Sequence, residues 1–499
     1  MPKYLIQFAQ FHEEFRLPEL ESLAKIENVN LSFNINDYKK DCPFFIVNIE
    51  TEEEANRLIR RAILVKNIYE LWGMGENYEK VHEQVKANPE RWSQYEYKSF
   101  KFIISAFGST CPSDYQVRII NSFSYLGFKG DINLKNPQVQ FGALEDYGLD
   151  PSLPAPPPNP YMIYFGRLIA SGNRDLIKKY NLKQREYIGN TSMDAELSLI
   201  MANQALAEPG KLIYDPFVGT GSFLFTCAHY GAFTMGSDID GRQIRANKSI
   251  KSNIEQYNLH GKVLDTLVFD ICHHPWRENL WFDAIVTDPP YGVRAGAKKL
   301  GRKNPTKKSQ VPKPIDGIPA HKREDYYPPT KPYEMSEVLV DLLEFAARYL
   351  VIGGRLVYWL PTIVDDTDIP EHPCMKFISN SEQNFGQWSR RLTTMEKFRE
   401  NVKGEHANVN TIKGYDNLST LYQKKNNNES EENTDENINT SCEKQQDSDI
   451  EKKPGHYLFR EKYFSFKSKE KSQREESWIR FKKSENKSPS TTTDNNIDT

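Results

Sequence analysis

The sequence predicts an α/β protein: a doubly wound parallel sheet over residues 187–422, preceded by two smaller α+β units (1–95 and 96–186) and followed by a low-complexity tail (423–499). Three observations carry this prediction. First, strand-like runs at Leu212–Tyr214, Phe233–Ser237, Val263–Phe269, Phe282–Thr287 and Arg355–Leu360 alternate with helix-like segments, as parallel strands joined by crossover helices do. Second, the upstream region shows strands and helices in no such alternation. Third, beyond Tyr422 the chain turns to Asn, Glu, Ser and Lys, with a run of acids between Glu429 and Glu436, too polar to form a core and expected to be disordered.

In the first unit, Tyr4–Phe8 and Phe44–Ile49 read as strands, and Glu52–Tyr69 reads as a helix with Leu58, Ile59, Ala62, Ile63 and Val65 on its apolar face. In the second, a strand at Phe102–Phe107 leads to a helix through Val117, Ile119, Ile120 and Phe123, and then to a strand at Gln138–Phe141. Residues 151–160 hold six prolines and are extended, a loop within this unit or a boundary, before a further strand at Tyr161–Phe165. In the third unit, Gly241–Tyr257 and Ser336–Leu350 read as helices. The tail keeps two apolar clusters, around Tyr457–Phe466 and Trp478–Phe481.

At about 150 residues per domain, 499 residues allow two to four domains. Hydrophobic residues at 38% supply a core, while 27% charged residues and a mean hydropathy of −0.68 describe a polar surface. No run approaches the ~18 apolar residues of a membrane span, and the start lacks a secretory signal, so an intracellular, cytoplasmic location is expected. The six cysteines form no Cys-x-x-Cys pair, and His273 and His274 beside Cys272 read as a loop, so neither a disulfide framework nor a metal site is expected.

The chemistry sits at strand ends. Asp215-Pro216-Phe217-Val218-Gly219-Thr220-Gly221 follows the first strand of the large sheet, with glycines that let a ligand approach the backbone. An acid before those glycines repels a pyrophosphate and pairs with an α-ammonium group, which points to an amino-acid-bearing nucleoside such as S-adenosylmethionine and away from a nicotinamide dinucleotide. Asp238, 23 residues beyond Asp215 at the second strand's end, is the expected ribose ligand, with Asp240 as a helix N-cap. Asp270 ends the third strand, placed to accept an adenine amine, with Ile271 against the ring. Thr191, Ser192 and Asp194 precede a helix; Thr191 and Asp194 fit a capping box, and a hydroxyl there also suits a cofactor carboxylate.

Asp288-Pro289-Pro290-Tyr291 emerges from the fourth strand. Two consecutive prolines fix φ and lack amide hydrogens, leaving carbonyls as acceptors. The Asp288 carboxylate and the Pro289 carbonyl match the two hydrogens of an exocyclic amine, and Tyr291 offers a face to a flat ring. From Arg294 to Lys331, eleven Lys or Arg stand against Asp316, Glu324 and Asp325, a net of +8 in a chain of net charge −3. Such a segment beside a catalytic corner suits a polyanionic substrate.

Taken in order, Thr191-Ser192, Asp215 to Gly221, Asp238, Asp270 and Asp288 to Tyr291 resemble the S-adenosylmethionine-dependent amino-methyltransferases, and within them the THUMP-containing tRNA guanosine-10 N2-methyltransferases. The resemblance covers residues 187 to 415 strongly and the first 186 loosely, and leaves the tail outside. It implies a Rossmann-like methyltransferase domain, a THUMP-type RNA-binding region, and tRNA as substrate. It also implies S-adenosylmethionine held by Thr191, Ser192, Asp215, Phe217, Gly219, Gly221, Asp238, Asp270 and Ile271, and catalysis at Asp288, Pro289, Pro290 and Tyr291. A small zinc-bearing activator subunit is implied too. The alternatives are a guanine at another RNA position, a catalytically silent RNA-binding homologue, and methylation of DNA adenine or protein glutamine.

Overall fold

A computed structural model describes residues 1–408 apart from 151, 153–154, 247, 279, 291–296, 302–313, 315–316, 320–321, 324–325, 363–368 and 386–388. The tail, Tyr291 and most of the basic segment therefore lie outside the described residues.

The first half builds one sheet. Its elements are β1 (Lys3–Phe8), α1 (Arg16–Glu27), β2 (Phe44–Asn48), α2 (Glu52–Ile59), β3 (Val65–Gly75), α3 (Tyr78–Lys86), α4 (Glu90–Ser93), β4 (Phe100–Phe107), α5 (Ser113–Ser122), β5 (Val139–Asp146) and β6 (Met162–Ser171). The strand order is β2-β1-β3-β6-β5-β4, so β3 of residues 1–95 pairs directly with β6 of residues 96–186, and six strands share one sheet. β5 and β6 pair antiparallel, which makes the proline-rich stretch the loop between them.

Helix α2 starts on a capping box, the Glu54 N–H donating to Thr51 Oγ1 (3.2 Å) and the Thr51 N–H to Glu54 Oε2 (3.0 Å). It ends at Ile59 and does not run to Tyr69 as expected, because Val65–Tyr69 already belong to β3. Leu58, Ile59, Ala62, Ile63 and Val65 continue one helical spacing across the junction between α2 and β3, so periodicity does not mark where the helix ends.

The second half comprises α6 (Asp175–Lys179), α7 (Ala195–Gln204), β7 (Leu212–Asp215), α8 (Ser222–His229), β8 (Phe233–Asp238), α9 (Arg242–Arg245), α10 (Ile250–Tyr257), β9 (Val263–Val268), β10 (Phe282–Thr287), β11 (Lys298–Leu300), β12 (Thr330–Pro332), α11 (Met335–Tyr349), β13 (Leu350–Thr362), β14 (Met375–Asn384) and β15 (Ser389–Lys397). The large sheet runs β14-β15-β13-β10-β7-β8-β9. Five strands are parallel as expected, but β15 and β14 add an antiparallel pair at the β13 edge that the strand pattern of the sequence does not announce. The expected helix over Gly241–Tyr257 breaks into α9 and α10, the second restarting on Ser249, whose hydroxyl accepts from Lys251 N–H (3.4 Å).

Two features position the site. Helix α1 packs on α7, and at their junction the buried Glu19 carboxylate accepts from Ile63 N–H (3.0 Å), Leu64 N–H (2.7 Å) and Asn203 Nδ2 (2.7 Å). Arg61 completes the network by donating to Asn203 Oδ1 (2.9 Å) and Ala207 O (2.7 Å), so the two halves are joined by hydrogen-bonded buried polar groups as well as by Phe15, Ile63 and Leu64 in the shared core. In the large sheet, β8 and β9 wind to one side of β7 while β10 and β13 lie on the other. That reversal makes a topological switch point at the carboxyl ends of β7 and β10, where ligands of doubly wound sheets bind.

Candidate active site at the strand carboxyl ends

β7 ends on Asp215, which is 1% exposed. Its Oδ1 accepts hydrogen bonds from Thr287 Oγ1 (2.7 Å), the last residue of β10, and from Phe217 N–H (3.0 Å). Its Oδ2 is buried without a hydrogen-bond partner among the described residues. Burial pushes the carboxyl up to about 8, the negative charges of Asp238 and Asp288 add to the rise, and the two hydrogen bonds oppose it. A buried acid with one orphaned oxygen and two acidic neighbours is completed by a cation carrying N–H donors, which the α-ammonium of S-adenosylmethionine is. The chain's own residues thus fit that cofactor.

The turn after Asp215 is shaped to approach a ligand. Gly219 and Gly221 take φ of +47° and +82°, the left-handed region that glycine enters without strain. A side chain at Gly219 would make only ordinary van der Waals contacts, the nearest with Oγ1 of the exposed Thr191 at 3.7 Å, so it is the positive φ that favours glycine there. The Gly219 N–H donates to Asp238 Oδ2 (2.9 Å), and the Asp240 N–H to Asp238 Oδ1 (2.8 Å). The surrounding protein pushes the Asp238 carboxyl up to about 6, chiefly by desolvation. Asp238 is thereby tied to the glycine turn at the end of β8.

Asp240 accepts from Arg242 N–H (3.1 Å) and ion-pairs with the Arg242 side chain (2.6 Å), while the N-cap position of α9 falls on Gly241. The capping box expected of Thr191 and Asp194 does not form. Helix α7 begins one residue after Asp194, whose carboxylate accepts from Glu196 N–H (2.9 Å), and Thr191 stays outside the cap. Ser192 bonds Thr220 hydroxyl to hydroxyl (2.8 Å), fixing the Thr191 segment to the glycine turn.

At the end of β9, Asp270 accepts from His273 N–H (2.7 Å) through Oδ1 and from Leu300 N–H (2.6 Å) through Oδ2. It therefore anchors the base of the basic segment, whose described ends form the β11–β12 hairpin. Ile271 is 3% exposed and packs in the apolar cluster under α11. Asp288 leaves β10 with its side chain 23% exposed, and Arg390 Nη1 lies 3.9 Å from its Oδ2. Pro289 is buried beside it and Pro290 half-buried, while Tyr291 lies outside the described residues.

Two side chains in this arrangement are not singled out by sequence pattern. Thr287 ties the first and fourth strand ends together, and its place directly before Asp288 was the available signal. Arg390 stands on β15, about a hundred residues from Asp288 and in a strand that gives no clear period.

Comparisons with known proteins agree with this layout. Residues 2–174 match the family described as Tmrp11 THUMP N-terminal domain, and residues 183–304 the family described as RMKL-like, methyltransferase domain. The tRNA (guanine(10)-N(2))-methyltransferase of Schizosaccharomyces pombe is 42% identical over 437 residues, spanning 80% of this chain and 90% of that protein. The enzyme of that name from Mus musculus is 42% identical over 419 residues (80% and 88%), and that of Saccharomyces cerevisiae 41% over 403 residues (79% and 92%). Among the described residues no helix is long and apolar enough to cross a membrane.

Proposed function

The chain belongs to the tRNA (guanine(10)-N(2))-methyltransferase family, and from that premise we propose that it transfers a methyl group from S-adenosylmethionine to the N2 amine of guanosine 10 in tRNA. One observation carries the reading. The orphaned Asp215 Oδ2 and the Asp288 carboxylate stand at the same switch point, joined through the Thr287 to Asp215 hydrogen bond of 2.7 Å.

When bound, S-adenosylmethionine supplies an electrophilic methyl on a sulfonium. Asp215 would take its ammonium, Asp238 the ribose hydroxyls, Asp270 and Ile271 the adenine, and Thr191, Ser192, Phe217 and the Gly219 to Gly221 backbone the rest of the amino-acid end. On the other side of the crevice, Asp288 and the Pro289 carbonyl accept the two amine hydrogens and aim the nitrogen lone pair across the gap, so catalysis is mainly positioning. Pro290 holds the corner rigid and Tyr291 stacks on a base drawn out of its helix. Asp288 need not be a strong base, because the amine loses a proton readily once methylated.

The N-terminal sheet with its THUMP match supports tRNA as the substrate, and a tRNA substrate supports a cytoplasmic location. The basic segment from Arg294 to Lys331 supports phosphate contacts beside the target. Replacing Arg302, Lys303, Lys307 and Lys308 by Gln is expected to weaken tRNA binding and flatten its salt dependence by roughly 0.7–0.9 in log–log slope for each phosphate no longer neutralised. Binding measured over a salt series checks this; an unchanged slope places the segment away from the RNA.

The small zinc-bearing activator subunit that the resemblance implies is assigned to the β9 edge of the large sheet. There Leu264 (50% exposed) and Val268 (40%) accompany a strand paired only with β8 among the described strands, an edge open to one more strand. Full activity of the chain purified alone rules such a requirement out.

The function as a whole is tested by mass spectrometry of tRNA nucleosides from cells lacking this chain. N2-methylguanosine at position 10 is expected to vanish and to return with the wild-type chain; its persistence overturns the assignment.

A further inference from the structure

Arg390 enters the catalytic corner from the antiparallel edge pair and is held in one orientation. Its guanidinium lies 4.0 Å from the ring centroid of the buried Trp359. Its Nε donates to Gln383 Oε1 (2.8 Å) on the neighbouring β14. A stacked guanidinium with its Nε bonded has a fixed plane, so its remaining N–H groups are aimed. Among the described residues, Nη2 meets Met193 Sδ at 3.8 Å and Nη1 meets Asp288 Oδ2 at 3.9 Å. A thioether is a weak acceptor and 3.9 Å is beyond hydrogen-bonding range, so the terminal nitrogens retain donor capacity toward the crevice.

Asp288 and Arg390 therefore set a carboxylate acceptor beside a guanidinium donor. The Watson–Crick edge of guanine carries the complementary row, the N2 and N1 hydrogens followed by the O6 acceptor. Adenine has no keto oxygen beyond its amine and bare ring nitrogen, so with its amine held at Asp288 it presents no O6 acceptor to Arg390. A site built to hydrogen-bond a substrate group rejects the analogue that lacks it.

We propose that Arg390 is a specificity-determining residue that donates to O6 of the target guanine while Asp288 accepts from its amine edge, Trp359 and Gln383 holding the guanidinium in place. This assignment rests on the N2-guanine methyltransferase reading above.

The test compares the full-length chain, co-expressed with its activator subunit if it needs one, on two ligated tRNAs carrying guanine or 2-aminopurine at the target position. 2-Aminopurine keeps the amine and lacks O6 and the N1 hydrogen. The wild type is expected to favour guanine by roughly 10-fold or more in kcat/KM. Arg390→Met is expected to lose guanine activity while keeping its 2-aminopurine rate within about two-fold, so that the preference shrinks by roughly 10-fold, with Arg390→Lys in between. Equal wild-type rates on the two tRNAs overturn the assignment without any variant having to fold, and so does a preference unchanged in a folded, cofactor-binding Arg390→Met protein. Absence of wild-type methylation on the guanine tRNA instead overturns the underlying reading of function.

Discussion

Asp288→Ala is expected to reduce methyl transfer by roughly 100- to 1,000-fold or more while S-adenosylhomocysteine still binds. The side chain is 23% exposed at the crevice, with the Arg390 guanidinium 3.9 Å away, so its removal opens no core cavity and the fold should survive. What the substitution removes is the acceptor proposed to orient the amine. An unoriented amine rotates its lone pair away from the methyl group, and a misplacement of about 1 Å at a reacting atom costs on the order of 100-fold. Steady-state methylation of tRNA together with calorimetric binding of S-adenosylhomocysteine reads both halves of this prediction. Turnover at the wild-type rate would sink the positioning role.

Asp215→Asn is expected to make the protein more stable in alkali and nearly inactive. Asp215 has its carboxyl pushed from the ordinary 3.8 to about 8 in the folded chain, by burial first and by Asp238 and Asp288 next. A folded-state value above the unfolded one means that the folded chain holds the proton more tightly. That stability is fully present below about pH 4 and is lost as pH rises toward about pH 8. Asparagine does not titrate, so the wild type should lose stability relative to the variant by on the order of 4 kcal/mol between about pH 5 and pH 8, at ~1.36 kcal/mol per unit. Denaturant unfolding at several pH values checks the sign, and parallel curves for the two proteins overturn it. Asparagine also brings an N–H₂ group to face the cofactor's ammonium, so affinity for S-adenosylmethionine should fall by roughly 30- to 100-fold, the loss of one charge-assisted hydrogen bond.

Asp238 and Asp288 both raise the Asp215 carboxyl in the chain by itself, and on the proposed function a cation and an amine placed between these acids would relieve that repulsion.

The parallel strands of the large sheet were legible because β7, β8, β9, β10 and β13 are short apolar runs that each end in a turn, and β7 to β10 each run into an acid at or just after the strand's end. Periodicity failed where apolar spacing ran across an element boundary. Ala62, Ile63 and Val65 continue the spacing of α2 into β3, and α9 and α10 read as one helix because no glycine or proline marks the break before Ser249. β14 and β15 carry Thr, Ser, Arg and Lys at positions that are nonetheless buried, such as Thr393, Thr394, Arg391 and Lys397, so their polar residues mask the strand pattern.

The sequence by itself placed an acid at each of four parallel strand ends, the edge of a doubly wound sheet where ligands bind. Only the tertiary structure decided how those groups interact. Asp215 acquires Thr287 as a partner and an oxygen with none among the described residues, Asp270 becomes the anchor of the basic segment, and Asp288 gains Arg390 from the antiparallel strand β15. The physical reason is that strand-end position follows from local pattern and chain direction, whereas hydrogen-bond partners, desolvation and charge pairs depend on residues brought together from distant parts of the chain.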